Sequence, residues 1–223
     1  EGARSPCIKP FRERHFVVHY PDGKKLPVQI IERRNYWGHE FAAVSFPVTV
    51  PALGYATVLI EEQDDPPVSL PPPEGARLTL PFHHCAYMEY ERAPAGLANE
   101  HLKVDLDPRT GGLARIAAAS GGPVWLDSPS ASPNLEFEWE RPGGMSAWLI
   151  RHRGEPPEYP RLKKLSAGLR GPYRASLIAE YTLRESLLTV TTELRAGDPR
   201  LHIRLEIEWF QRGSPEHGVP ALS

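Results

Sequence analysis

Glu136, Glu138 and Glu140 stand at alternate positions, the spacing in this sequence that most resembles a catalytic carboxylate set. Glycoside hydrolysis needs two such groups, one to protonate the leaving oxygen and one to act as nucleophile or base. Along an extended chain every second residue shares a face, so the three side chains would project together at intervals of about 7 Å. That interval is produced by β geometry alone, and nothing nearby would desolvate one carboxyl selectively. The expectation is a solvated strand face and no catalytic residue. Glu206 and Glu208 are read the same way, with Arg204 on their face as a neutralising neighbour.

Soft ligands are present without a convincing metal pattern. His15 and His19 would share a strand face, and His83-His84-Cys85 places three donors in a row. Zinc is held by ligands that converge from separated elements, whereas adjacent residues of a strand point to opposite faces. No metal ligand is therefore assigned. The chain also lacks a Gly-x-Ser-x-Gly nucleophile elbow and a phosphate-cradling glycine loop.

Aromatic side chains offer a different chemistry, because their faces stack on the apolar side of a sugar ring. Of the tryptophans Trp37, Trp125, Trp139, Trp148 and Trp209, three (Trp139, Trp148 and Trp209) fall in apolar strand patterns and are expected in the core. Asn35-Tyr36-Trp37-Gly38-His39 reads instead as a loop with two aromatics and several polar groups. Tyr36 and Trp37 are the candidate carbohydrate-binding residues, or a contact with a neighbouring domain.

The elements that must position these residues are strands. Leu201, Ile203, Leu205, Ile207 and Trp209 alternate with His202, Arg204, Glu206 and Glu208, predicting one apolar and one solvated face. Leu188, Val190, Thr192 and Leu194 share a face just upstream, and Ala196-Gly197-Asp198-Pro199 supplies a turn between the two strands. A third strand, 175–184, completes an antiparallel meander. Another hairpin is predicted where Leu102, Val104 and Leu106 alternate with charged residues before the turn Pro108-Arg109-Thr110-Gly111-Gly112. Leu135, Phe137 and Trp139 form a further half-buried strand. In the N-terminal third, the stretches 15–20, 27–31, 42–50 and 55–60 suggest a small sandwich of about four strands. Helical periodicity is nearly absent; the one Ala-rich stretch, 113–120, is short and lies between glycine pairs.

Composition narrows the function classes. With 40% hydrophobic and 24% charged residues in 223, the chain has the make-up of a globular protein. A net charge of -2 with mixed signs gives no basic field for nucleic acid or anionic lipid, and no apolar run approaches bilayer length. Neither nucleic acid nor membrane is an expected partner. Cys7 and Cys85 show no paired spacing, and the first ten residues do not form a signal peptide, so a reducing, cytoplasmic setting is expected. Proline, at 25 residues, is about twice its usual share of roughly 5% and favours turns and linkers. The densest run, around Asp64-Asp65-Pro66-Pro67 and Pro71-Pro72-Pro73, suits a stiff connection. The expected division is residues 1–62 as a small β-sandwich, 63–94 as a Pro-rich linker and 95–223 as a large β-sandwich.

Several segments, taken together, resemble glycoside hydrolase family 38 α-mannosidases. Leu97-Ala98-Asn99 followed by an alternating strand and Asp107-Pro108-Arg109-Thr110-Gly111 is similar to that family's Leu-Glu-Asn, strand, Asp-x-x-Thr-Gly segment. Val50-Pro51-Ala52-Leu53-Gly54-Tyr55 is similar to a Val-Pro-x-Leu-Gly-Tyr segment upstream of it. Ala147-Trp148, Gly171-Pro172-Tyr173-Arg174-Ala175 and Glu206-Ile207-Glu208-Trp209 match in the same order. Where the family often carries an acidic residue shortly after that tryptophan, Phe210-Gln211-Arg212 follows here.

The resemblance implies an all-β region, a small antiparallel β-sandwich followed by part of a larger galactose-mutarotase-like super-sandwich that continues beyond this sequence. It implies a parent enzyme whose separate catalytic domain holds the retaining carboxylate pair and a zinc ion. The expected function is a non-catalytic β region that supports the active site of a hydrolase acting on terminal α-mannosides. Its partners would be its own catalytic domain and a mannose-containing saccharide. The alternatives are a stand-alone carbohydrate-binding module and an oligomerisation or interaction domain that forms a homo-oligomer.

Overall fold

A computed structural model describes residues 9–66, 75–79, 96–128, 135–141, 143, 151 and 154–223. Within them the chain is all β: sixteen strands and a single 3₁₀ turn, Phe11–Glu13. The N-terminal part contributes β1 (His15–His19), β2 (Lys25–Pro27), β3 (Gln29–Tyr36), β4 (His39–Ser45) and β5 (Leu59–Gln63). Strand β1 is central in an antiparallel sheet of order β2-β1-β5, while β3 and β4 form a separate hairpin. Phe16, Val17 and Val18 are the buried residues of β1, as expected for bulky and β-branched side chains on a covered strand. The turn at Pro21-Asp22-Gly23 closes through Asp22, whose carboxylate accepts the Lys24 amide at 2.9 Å.

The larger part is two facing antiparallel sheets. One contains β6 (Arg77–Thr79), β7 (Gly96–Ala98), β8 (Leu102–Leu106), β9 (Leu113–Ala118) and β10 (Val124–Asp127), in the order β10-β9-β8-β7-β6. Strand β6 lies within the stretch 63–94 and pairs with β7. A two-stranded ribbon joins β11 (Phe137–Glu140) to β16 (Val219–Leu222). The other sheet is the meander β12 (Arg161–Arg170), β13 (Arg174–Leu183), β14 (Ser186–Arg195) and β15 (His202–Glu208).

Between the sheets, Leu97, Leu102, Val104 and Leu106 face Leu177, Ala179, Tyr181, Leu183, Leu188 and Leu194, with Phe137 fully enclosed. The alternation read from the sequence is thus the alternation of the core. Strand β12 was not legible because Arg161-Leu162-Lys163-Lys164-Leu165 does not alternate cleanly. It is an edge strand among the described residues, where charged side chains are tolerated and discourage unwanted pairing.

Three expectations need correction. The run 35–39 is the ordered tip of the β3–β4 hairpin, with Tyr36 paired to His39. Glu140 is buried, 8% exposed, so the three alternate glutamates do not share a solvated face. Most telling, the apolar face of β15 is uncovered: Ile203, Leu205 and Ile207 are 55%, 40% and 40% exposed. The facing strands β6 and β7 lie over β12, β13 and β14. The row is packed at its two flanks, where Leu201 lies against the core and Trp209 meets the ring of Phe137 at 6.0 Å.

The turn between β8 and β9 depends on one glycine. Gly111 has a positive φ of +71°, and a Cβ there would come within 2.4 Å of the Tyr181 hydroxyl and 2.9 Å of Leu162. Asp107 closes the same turn by accepting the Arg109 amide at 2.8 Å. Gly111→Ala should lower the free energy of unfolding by at least about 1–2 kcal/mol in a urea titration, from the left-handed conformation alone.

Burial pushes the phenol of Tyr181 up to about 12, and burial followed by the nearby Tyr20 pushes Tyr173 up to about 12. Between pH 10 and 12 the unfolded chain would release protons that the fold retains, so stability falls as pH rises through this window. Alkaline unfolding followed by circular dichroism should therefore begin above pH 10 and move to higher pH in Tyr181→Phe.

Candidate functional site

The hairpin β3–β4 places the two candidate aromatics at its tip. Its two-residue connection, Trp37-Gly38, has φ values of +53° and +78°, the left-handed pair of a type I′ turn whose twist matches the flanking strands. Asn35 steadies it by accepting the Gly38 amide on its side-chain oxygen at 3.2 Å. Trp37 is 85% and Tyr36 68% exposed, with ring centroids 6.2 Å apart and planes tilted by 46°. Asn35, His39 and Glu40 flank the rings with polar groups. Such a tip can stack on one sugar face while amide and carboxylate groups meet hydroxyls.

Two polar side chains hold the hairpin, Arg33 at its middle and Gln29 at its base. The Arg33 guanidinium donates to the carbonyls of Phe11, at 2.6 Å, and Arg14, and lies 5.6 and 5.5 Å from the ring centroids of Phe11 and Phe16. Gln29, the first residue of β3 and 8% exposed, reaches across to the turn before β13. Its carbonyl oxygen accepts the amides of Tyr173 and Arg174 at 3.0 and 2.8 Å, and its amide donates to the Arg174 carbonyl at 2.8 Å. The Tyr173 hydroxyl donates back to the Pro27 carbonyl at 2.9 Å. Gly171 makes room for this contact, since a Cβ there would stand 1.9 Å from Gln29.

The same turn is braced from behind by charge. Arg174 meets Glu193 through two hydrogen bonds of 3.1 and 2.6 Å, and Arg195 adds a third at 2.7 Å. Burial raises the pKa of Glu193, but hydrogen bonds from Arg174 and Arg195 outweigh it and leave the carboxyl below its ordinary range. Asn99 plays a comparable part between the sheets. It accepts the amides of His101 and Leu102 at 2.9 and 2.7 Å and donates to the carbonyls of Arg195 and Asp198 at 2.8 and 2.9 Å.

Val50-Pro51-Ala52-Leu53-Gly54-Tyr55 forms an exposed loop closed by a 3.0 Å bond from the Gly54 amide to the Pro51 carbonyl. Leu53 is entirely exposed and Tyr55 86% exposed. Between this loop and the turn at Asp22 opens a cleft of about 600 Å³, lined by Tyr20, Asp22, Lys24, Thr49 and Tyr55 among others.

The other described residues singled out by chemistry stand in separate contacts. Glu136 accepts a hydrogen bond from the Tyr159 hydroxyl at 3.1 Å, Glu138 is half-buried and Glu140 is buried. Glu206 is paired with Arg204 at 2.8 Å, as expected. His19 stands 2.7 Å from Glu61, across the strand pair from His15's end of β1. Among the described residues no group of three His, Cys, Asp or Glu side chains could hold a metal ion, and no helix is long and apolar enough to cross a membrane. Cys7, His83, His84, Cys85 and Trp148 lie outside the described residues. Trp139 and Trp209 pack against the core, whereas Trp125 is 59% exposed. Sequence reasoning missed Gln29 altogether; the signal that pointed to its contact was the Gly171-Pro172-Tyr173-Arg174 segment on the other side.

Residues 97–215, over half of the chain, match the family model described as the glycosyl hydrolases family 38 C-terminal domain. That span takes in most of the two facing sheets and the turns built on Asn99, Gly111 and Arg174. No curated protein matches the chain.

Gln29→Ala would remove the acceptor of the Tyr173 and Arg174 amides, at a cost of about 1–3 kcal/mol for the buried one of Tyr173. The expected result is faster hydrogen exchange at the Tyr173 and Arg174 amides and a lower urea midpoint, with exchange in the core of β8 and β9 much less affected.

Proposed function

On the premise that this chain belongs to the glycosyl hydrolases family 38 C-terminal domain family, we propose that it is the non-catalytic β region of an α-mannosidase. It supports an active site built by the enzyme's own catalytic domain and meets a mannose-containing saccharide through Tyr36 and Trp37. The observation that carries this reading is the pairing of the family match with a rigidly based hairpin that holds two exposed aromatics at its tip. In this reading the acid, the nucleophile and the zinc belong to the catalytic domain. The proposed setting is the cytoplasm.

A support role explains why polar bonding is concentrated at the base of the hairpin. A strand of eight residues carries its tip roughly 20 Å from its first residue, so a small rotation at Gln29 would become a large displacement at Trp37. Holding the hairpin at Gln29 and Arg33 fixes where the aromatics stand without spending contacts at the tip.

A second reading, a stand-alone carbohydrate-binding module, is favoured by the exposure of Trp37 itself. One experiment separates the two. Hydrolysis of a chromogenic α-mannoside with added zinc is measured for this chain, for a separately expressed catalytic portion of its parent, and for the mixture. The expected result is no turnover by the chain and a clear gain on mixing; turnover by the chain alone, or no gain on mixing, overturns the support role. In the active mixture Trp37→Ala should raise KM for a manno-oligosaccharide several-fold, in line with about 1 kcal/mol for an aromatic contact, and leave a small aryl mannoside nearly unchanged. Saccharide binding by the chain without any gain on mixing would select the module.

A further inference from the structure

We propose that Arg174 and Arg195 form a binding site for a small oxyanion, a phosphate or a carboxylate, in the cleft where the N-terminal sheets meet the large sandwich. The cleft has a volume of about 260 Å³. It is walled by residues 45–47, at the end of β4, and by 173–174 and 195–196, from the adjoining ends of β13 and β14. Drug-sized ligands take roughly 300 Å³ or more, so this room suits an ion or one small ring.

The arrangement of charge carries the inference. Arg174 and Arg195 stand directly opposite each other across the β13–β14 pair, a placement in which like charges destabilise a sheet. One carboxylate answers both. Glu193 takes Nε and Nη2 of Arg174 at 3.1 and 2.6 Å and Nε of Arg195 at 2.7 Å. Two cations then stand against one anion. The nearby carboxylates are engaged elsewhere: Glu100 accepts the Gly197 amide, and Asp198 is held by Arg200 and His202. Among the described residues neither Nη1 nor Nη2 of Arg195, nor Nη1 of Arg174, has a hydrogen-bond partner. A second oxyanion seated on them would complete an alternation of charge, and the fork of a guanidinium matches the oxygens of carboxylate and phosphate.

The remaining walls favour the same ligand. Phe46 and Pro47 bring apolar side chains, beside which a charge-assisted hydrogen bond is stronger than in open water. Ser45 brings a hydroxyl and is paired across the hairpin with Gln29. An anion bound here touches both sides of the junction that Gln29 holds, and its binding stiffens the seat of the β3–β4 hairpin.

This inference is separate from the saccharide reading and is tested without mannosidase turnover. Inorganic phosphate, glucose 6-phosphate and glucuronate are titrated calorimetrically into the intact chain at constant ionic strength, with glucose as the uncharged control. The expected result is saturable one-to-one binding of at least one anion, none of glucose, and slower hydrogen exchange at the Tyr173 and Arg174 amides in its presence. Arg195→Met removes the open fork and keeps the Arg174–Glu193 pair, so it should weaken binding by about tenfold or more. Arg195→Lys keeps the charge without the fork and should recover only part of that loss. Arg161→Met, at the far end of the β12–β13 pair, should leave binding unchanged, and circular dichroism checks that each variant keeps the wild-type fold. Preference for glucose 6-phosphate over inorganic phosphate would assign the site to a phosphorylated sugar, and preference for glucuronate to a carboxylate. No saturation, binding indifferent to Arg195→Met, an equal loss in Arg161→Met, or binding without slower exchange at the two amides would mean an adventitious ion only and overturn the proposal.

Discussion

The side-chain amide of Gln29 is the contact through which the N-terminal sheets and the large sandwich are held to one another. Three hydrogen bonds converge on it from the turn between β12 and β13, the one from the Tyr173 amide buried and the two with Arg174 partly so. A buried amide left unpaired is costly, whereas one that satisfies two backbone donors and an acceptor fixes position and orientation at once. The requirement spreads outward from this point. Gly171 must lack a side chain, Tyr173 must offer its hydroxyl to Pro27, and Arg174 must be held by Glu193. The placement of Tyr36 and Trp37 follows from the same bond, because Gln29 begins the strand that carries them.

Family membership sits comfortably with this arrangement. The matched span 97–215 covers the sandwich, while the hairpin and the Val50–Tyr55 loop lie before it in the chain. What the matched part contributes to the hairpin is a rigid base. Asn99 ties the β7–β8 turn to the β14–β15 turn, and the Glu193 charge cluster stiffens the docking turn from the opposite face. Glu193 keeps its charge despite burial because two guanidiniums supply hydrogen bonds that water would otherwise have made.

Besides the hairpin tip, exposed apolar side chains include the loop residues Val48, Val50, Leu53 and Tyr55 and the row Ile203, Leu205 and Ile207 of β15. They differ in kind. The loop is irregular, whereas the three residues of β15 stand at alternate positions of one strand.

The fold class, the meander β13–β15, the β8–β9 hairpin and much of the core were legible in the sequence, because strand alternation is local and its period of two is written along the chain. The alternating glutamates also marked a strand, which runs over Phe137–Glu140 with Glu136 just before it, though not that Glu140 is buried, since burial depends on what covers an element. Local pattern likewise marked the apolar face of β15 without revealing that it stays open. Strand β12 escaped notice because an edge position relaxes the alternation by which strands are recognised. Only the tertiary structure decided that Trp37 and Gly38 form a type I′ tip rather than a loop, and that Gln29 meets a turn more than 140 residues later. Such a contact has no local signature: its partners are backbone groups, which every residue possesses, and only folding brings them within reach.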